Sequence, residues 1–259
     1  TFDSTYSHPY SFFLFAALML LTALWHERPT TRTSLLLGLV AGLIVLVRHT
    51  NVLFLILVPL YGFVARRTSH VAHRTWHVAR VIATAALVIL PQLWIYYQAT
   101  GRPVVSAYGD LGFNWSDPQL FGVLFGTAKG LFFWSPILLL GAAGLVLLDR
   151  SGREASAFVL PGCLFLAANT YLIASWWDWQ FGGSYGHRGY VDSLPVFALG
   201  LAAVFERASR RPAAKWAMVA VVVSLGALSI FQTLQYWHGI IPFQDTTWTQ
   251  YRELFLEWR

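Results

Sequence analysis

Val81-Ile82-Ala83-Thr84-Ala85-Ala86-Leu87-Val88-Ile89-Leu90-Pro91-Gln92-Leu93-Trp94-Ile95-Tyr96-Tyr97-Gln98 contains no charged side chain. A helix that crosses a bilayer needs about 20 mostly apolar residues, within a range of roughly 17–25. This stretch therefore reads as a membrane span. Seven further apolar runs follow the same pattern, at 10–25, 34–47, 52–65, 135–148, 155–175, 191–205 and 215–236. The second and third are separated only by Arg48-His49-Thr50-Asn51, as a tight hairpin or a single broken unit. The expected fold is all-α, a polytopic transmembrane helical bundle of about eight spans. Residues 1–259 form one transmembrane domain that ends in an outer-face amphipathic segment at 237–259.

Composition points the same way. Hydrophobic residues make up 56% of the chain and charged residues 12%, with a mean hydropathy of +0.54. Soluble domains average about 25% charged residues, so this chain has too little polar surface to fold in water alone. Cys163 is the only cysteine and lies in an apolar run, which excludes a disulfide framework within the chain. The chain begins at Thr1 with no signal peptide before its first apolar run, and reads as a fragment whose N-terminal part is missing.

The formal charge of +6 reflects topology rather than nucleic-acid binding. With the N-terminus outside, 12 of the 18 Lys and Arg fall on inner loops, and 8 of the 12 acidic residues fall outside. That distribution obeys the positive-inside rule. The inner stretch 65–80 carries His70, His73 and His77 at helical spacing. It reads either as a metal-binding face or as a basic segment against anionic headgroups.

The outer segments hold most of the groups capable of chemistry and 8 of the 12 tryptophans. The densest is Trp176-Trp177-Asp178-Trp179-Gln180-Phe181-Gly182-Gly183-Ser184-Tyr185-Gly186-His187-Arg188-Gly189-Tyr190. Its glycines allow sharp turns and close approach to a ligand. Asp178 can accept a proton, His187 ordinarily titrates near neutrality, and Arg188 presents a planar fork to phosphate. Lys129, between small residues before an apolar run, reads as a phosphate partner or a snorkelling anchor. Arg48, with His49 and Asn51, offers the same pair of readings. His8 stands before the first span with Asp3 and is a candidate acid–base group. No nucleophile elbow, zinc-protease motif, P-loop ending or cysteine pair is present. No carboxylate lies clearly within a span, which weakens an ion-coupled transporter.

Four stretches carry a resemblance. They are Ser7-His8-Pro9-Tyr10-Ser11-Phe12-Phe13 after Asp3, Val47-Arg48-His49-Thr50-Asn51, Lys129-Gly130-Leu131-Phe132-Phe133-Trp134-Ser135-Pro136, and Trp176-Trp177-Asp178-Trp179 leading to Gly186-His187-Arg188. Together they resemble integral membrane glycosyltransferases of the GT-C type, in particular family-39-like bacterial members related to protein mannosyltransferases and the aminoarabinose transferase. The resemblance implies transfer of a sugar from a polyprenyl-phosphate donor to a glycan, lipid or protein acceptor on the outer face of the bacterial cytoplasmic membrane. Catalytic roles would fall to Asp178, His187 and His8. Substrate contacts would fall to Arg48, Asn51, Lys129, Trp177, Trp179, Arg188 and Tyr190. The family's usual catalytic Asp, in a loop between its first two spans, would lie in the missing part. No cofactor is expected, a divalent metal is left open, and the partners are the lipid-linked donor and membrane lipids. The alternative is a transporter or flippase for lipid-linked sugars.

Overall fold

A computed structural model describes residues 7–65, 71–105, 111–149 and 154–258. Asp3, Arg66, Arg67, His70, Asp110, Arg150, Arg153 and Arg259 lie outside the described residues. Among those described, the regular structure is helical, apart from one isolated antiparallel bridge between Phe113 and Trp176. The helices are α1 (Ser7–Glu27), α2 (Thr31–Val47), α3 (Leu57–Val64), α4 (Val71–Thr100), α5 (Leu120–Phe125), α6 (Leu131–Trp134), α7 (Ile137–Asp149), α8 (Val159–Ser175), α9 (Leu194–Ser209), α10 (Pro212–Trp237) and α11 (Trp248–Leu254). Short 3₁₀ stretches at His49–Ile56, Glu154–Phe158 and Arg188–Ser193 lead into α3, α8 and α9.

Five helical stretches are long and apolar enough to cross a bilayer: Ser7–Glu27, Thr75–Thr100, Ala155–Ser175, Arg188–Ser209 and Pro212–Trp237. This is a multi-pass membrane protein. The other three apolar runs also fall on helices, but on shorter ones: Thr31–Val47, His49–Val64 and Ile137–Asp149. The boundaries have local causes. Arg48 is extended (φ −154°, ψ 125°), so α2 stops there and the chain restarts in 3₁₀ geometry. The run at 81–98 belongs to a longer helix, because 71–80 contains neither Gly nor Pro to break it.

The chain forms two compact units. The first comprises Thr1–Leu111 and Ala157–Leu166; the second comprises Gly112–Ser156 and Ala167–Arg259. In the first, α1 turns one stripe inward: Ser11, Phe15, Leu18, Thr22 and Trp25, spaced three or four residues apart. Phe15, Phe54 and Phe165 form the aromatic centre, with ring centroids 4.3–5.0 Å apart. Lipid supplies no hydrophobic drive between helices, so close packing and interhelical hydrogen bonds hold them. Gly42 of α2 lets α4 approach closely; a Cβ there would lie 2.7 Å from Val88 Cβ. The Trp25 indole donates to Ser34 Oγ (3.0 Å), which donates to the Thr30 carbonyl (2.7 Å) and meets His77 Nδ1 at 2.9 Å. The hydroxyl proton goes to Thr30, so His77 Nδ1 donates to Ser34. This fixes buried His77 as a hydrogen-bonded tie between α4 and α2.

In the second unit, α7 packs along α9 through glycine. A Cβ on Gly200 would collide with the Gly141 carbonyl, and one on Gly144 with the Gly200 carbonyl. The end of α8 is tied to segment 112–119: Trp177 N–H donates to Gly112 O (3.1 Å) and Gln119 N–H to Ala174 O (2.8 Å). These bonds fix the start of the Trp-rich loop. Near the C-terminus, Thr247 and Gln250 form a reciprocal capping box that starts α11. Gln232 and Gln235 of α10, both buried, donate to Tyr251 Oη, Leu254 O and Glu257 O. The 237–259 segment is thereby pinned to α10.

The glycine seam gives the first prediction. Gly200→Val should lower the thermal unfolding midpoint in detergent, because the obstacle is backbone; overpacking of this kind costs roughly 1–3 kcal/mol or more. Gly226→Ala, with open space around it, should leave the midpoint unchanged or raise it. Equal midpoints for Gly200→Val and wild type would remove the seam from the account.

Candidate functional site

In the second unit two cations, Lys129 and Arg188, and four unsatisfied polar atoms gather around one loop. Lys129 ends a tight turn between α5 and α6, in which Gly130 N–H donates to Gly126 O at 2.7 Å. Its side chain is 3% exposed. An ammonium out of water needs donors satisfied and charge compensated. Lys129 Nζ donates to the Ser184 carbonyl and stands 5.4 Å from the centroid of the Tyr236 ring. Burial strips its hydration, and the neighbouring Arg188 guanidinium acts in the same direction. Asp178 and Asp245 oppose them only in part, so the lysine pKa falls to about 8.

Across from Lys129 runs the glycine-rich loop. Gly182 has φ +63° and Gly186 φ +60°, conformations natural to glycine. Asp178 Oδ2 and Arg188 Nη2 both reach to within about 4 Å of where a Gly182 side chain would begin. Asp178 and Arg188 thus face the same backbone. Among the described residues, neither Lys129 nor Arg188 has a carboxylate at ion-pair distance. Four buried polar atoms here have no hydrogen-bond partner among the described residues: both ring nitrogens of His187, Arg188 Nε and Tyr236 Oη. Buried polar groups are nearly always paired. Their concentration here makes this loop the candidate site.

His187 is 6% exposed. Burial holds its pKa down at about 4, with Lys129 and Arg188 adding to the effect. The opposing influence of the Trp179 backbone falls short of hydrogen-bond geometry. His187 is therefore neutral at pH 7, able to give or accept a hydrogen bond but poorly matched to taking a proton. Asp178 is the half-exposed carboxylate on the same loop.

Aromatic side chains wall the site. Trp134 packs edge-on to Tyr185 (5.5 Å), and Tyr185 Oη donates to Gln232 Oε1 at 3.0 Å. Burial raises the Tyr185 hydroxyl to about 12, so it stays a donor. Phe243 lies against Tyr236 (5.1 Å) and Gly183. The loop is also strapped to the C-terminal segment. Gln180 Nε2 donates to Asp245 Oδ1 (2.7 Å), and Asp245 N–H returns a bond to Gln180 Oε1 (3.4 Å). Phe181 (φ 58°) and Asp245 (φ 55°) flank this strap as non-glycine residues in the left-handed region. Such strain collects at functional sites.

The remaining sequence-predicted residues divide between the units. The far edge of the Trp179 ring meets Gly122 of α5, and Trp177 is half exposed beside Trp176. Tyr190 is 1% exposed, donates to Thr170 Oγ1 (2.8 Å) and packs edge-on to the His187 ring (5.1 Å), so it backs the imidazole from the buried side. In the first unit, Arg48 Nη1 stands 3.3 Å from His8 Nδ1, and buried Asn51 donates to Ser11 Oγ at 2.9 Å. Arg48, His8 and Asn51 form a polar set of their own there. The metal reading of 65–80 does not hold for His77, which is committed to Ser34. Gln180, Tyr185, Tyr236, Phe243 and Asp245 were not singled out from the sequence. Tyr236 and Asp245 reach the site only through the fold, from the far end of the chain. Comparison with protein-family profiles, curated proteins and solved structures finds no match to this chain.

The buried imidazole makes stability depend on pH. Its folded pKa lies below the unfolded value of 6.5. Its contribution is therefore fully present above pH 6.5 and is lost as pH falls toward 4, by roughly 3 kcal/mol at most. His187→Asn should show a smaller drop in thermal midpoint than wild type between pH 7 and pH 4. Identical pH profiles would mean that His187 is not buried neutral.

Proposed function

We propose that this chain is a membrane glycosyltransferase. It would move a sugar from a polyprenyl-phosphate-linked donor to a glycan, lipid or protein acceptor on the outer face of the bacterial cytoplasmic membrane. The observation that carries the reading is the pairing of buried Lys129 with Arg188, without a carboxylate at ion-pair distance, among aromatic side chains at the end of apolar helices. A polyprenyl phosphate has this chemistry: a dianionic or monoanionic head and an apolar tail. The resemblance of the four motif stretches to GT-C enzymes supplies the sugar. Eight spans in a GT-C-like arrangement, with the N-terminus outside, complete the proposal.

On this reading the residues divide the labour by their chemistry. Lys129 and Arg188 bind the phosphate and stabilise the charge that grows on it as it leaves. Asp178, on the same loop, accepts the proton of the acceptor hydroxyl. The hydroxyl oxygen forms a bond to the anomeric carbon while the carbon–oxygen bond to phosphate breaks. Neutral His187 positions a hydroxyl without drawing away the proton. Trp177, Trp179 and Tyr236 offer flat faces to a sugar ring or isoprenoid.

The test uses the protein in proteoliposomes with a radiolabelled polyprenyl-phosphate sugar and an acceptor extract. Label should move into a new product. Asp178→Asn should reduce transfer by about 10²–10⁴-fold while donor still binds. Lys129→Ala or Arg188→Ala should cost about 10²-fold or more and weaken donor binding too. Label that only changes leaflet, still on its carrier, would replace the transferase with a flippase.

A further inference from the structure

The α9–α10 turn of the second unit carries three arginines around a cleft of 510 Å³. Arg207, Arg210 and Arg211 sit at the turn, and the cleft continues down an apolar wall formed by Leu147 of α7, Val204 of α9 and Met218 of α10. Arg210 stands 4.0 Å from Glu206, a loose and exposed i,i+4 contact. Such contacts are worth little, so among the described residues this one carboxylate leaves the three guanidinium groups mostly uncompensated.

An independent feature sets the depth of this rim. Trp216, 67% exposed, lies one turn into α10, and Lys215 Nζ stands 5.8 Å over its ring. Exposed Trp beside a snorkelling Lys is the pattern of a headgroup-level anchor. The arginines at the α9–α10 turn therefore meet phosphates, while Met218 and Val204, further along their helices, meet acyl chain. Basic pockets between transmembrane helices bind anionic lipid headgroups in this way. Arginine suits the role, since its planar fork takes phosphate in two hydrogen bonds.

We propose that this cleft is a binding site for an anionic phospholipid. The phosphate is held by Arg207, Arg210 and Arg211, and one acyl chain is seated against Leu147, Val204 and Met218. The site is distinct from the Lys129–Arg188 loop, and its ligand is a structural or regulatory lipid of the leaflet at this end of the unit.

The experiment places the chain in nanodiscs of mixed phosphatidylglycerol and phosphatidylcholine and measures the lipid retained after extraction by native mass spectrometry. Wild type should retain phosphatidylglycerol preferentially. Arg207→Gln with Arg211→Gln should reduce that preference roughly thirtyfold, each arginine contributing about fivefold. Arg102→Gln, far along the chain on another loop, should change nothing. Met218→Trp, which fills the apolar part of the cleft, should also lower retention while the arginines remain. Glycerophosphoglycerol, which lacks acyl chains, should not compete. Equal retention of both lipids, an unchanged preference in the double variant, or displacement by the chain-free headgroup or by millimolar inorganic phosphate would overturn the proposal. Sugar transfer is unaffected by the readout, so failure here leaves the loop site untouched, and the reverse holds.

Discussion

The ammonium of Lys129 is shut away from water, and the loop end of the second unit is organised around that fact. A buried lysine left to itself deprotonates or drags the chain open. Here it is held by one carbonyl and one aromatic ring, with carboxylates only at a distance. A second cation, Arg188, stands near enough to lower its pKa further. Like charges brought together at the edge of an apolar bundle cost free energy. The loop that does it is itself held in left-handed conformations at Phe181, Gly182 and Gly186. An arrangement of this kind is stable only because α8, segment 112–119 and the Gln180–Asp245 strap fix both ends of the loop.

The helices supply the rigidity. Inside lipid, packing distance and hydrogen bonds do what hydrophobic burial does in water. The second unit meets this demand with backbone contact at Gly141, Gly144 and Gly200. The first uses Gly38 and Gly42 against α4, together with the Trp25–Ser34–His77 chain. The polar residues within apolar helices are thus mostly structural. Among the described residues the unpaired ones collect at the loop around Lys129, apart from Thr22 Oγ1 in α1 and Gln235 Oε1 in α10, and this contrast sets the candidate site apart from the scaffold.

The apolar runs were legible because hydropathy is a local property, and each of the eight falls on a helix. Their lengths were less so. Runs 52–65 and 191–205 begin in 3₁₀ geometry, and 135–148 shortens to start after Pro136, none of which hydropathy records. Lys129, Asp178, His187 and Arg188 were readable as chemistry out of place beside apolar runs. What the sequence concealed was long-range: Asp245 straps to Gln180 across 65 residues of chain, and Tyr236 of α10 comes up against Lys129 from still further along. The neutral state of His187 was equally hidden, because its pKa depends on burial that only the fold produces. Tyr190 sends its hydroxyl inward to Thr170 while its ring packs on His187, a double role the motif does not record.

The most direct test is the pKa of Lys129 itself, followed by NMR of isotopically labelled lysine in the nanodisc-embedded chain, with Lys129→Arg used to assign the signal. The pKa should lie near 8 in the ligand-free protein and rise when a polyprenyl phosphate is added, because the anion favours the charged form. An ordinary lysine value of about 10.4, or a value that the phosphate leaves unmoved, would contradict it.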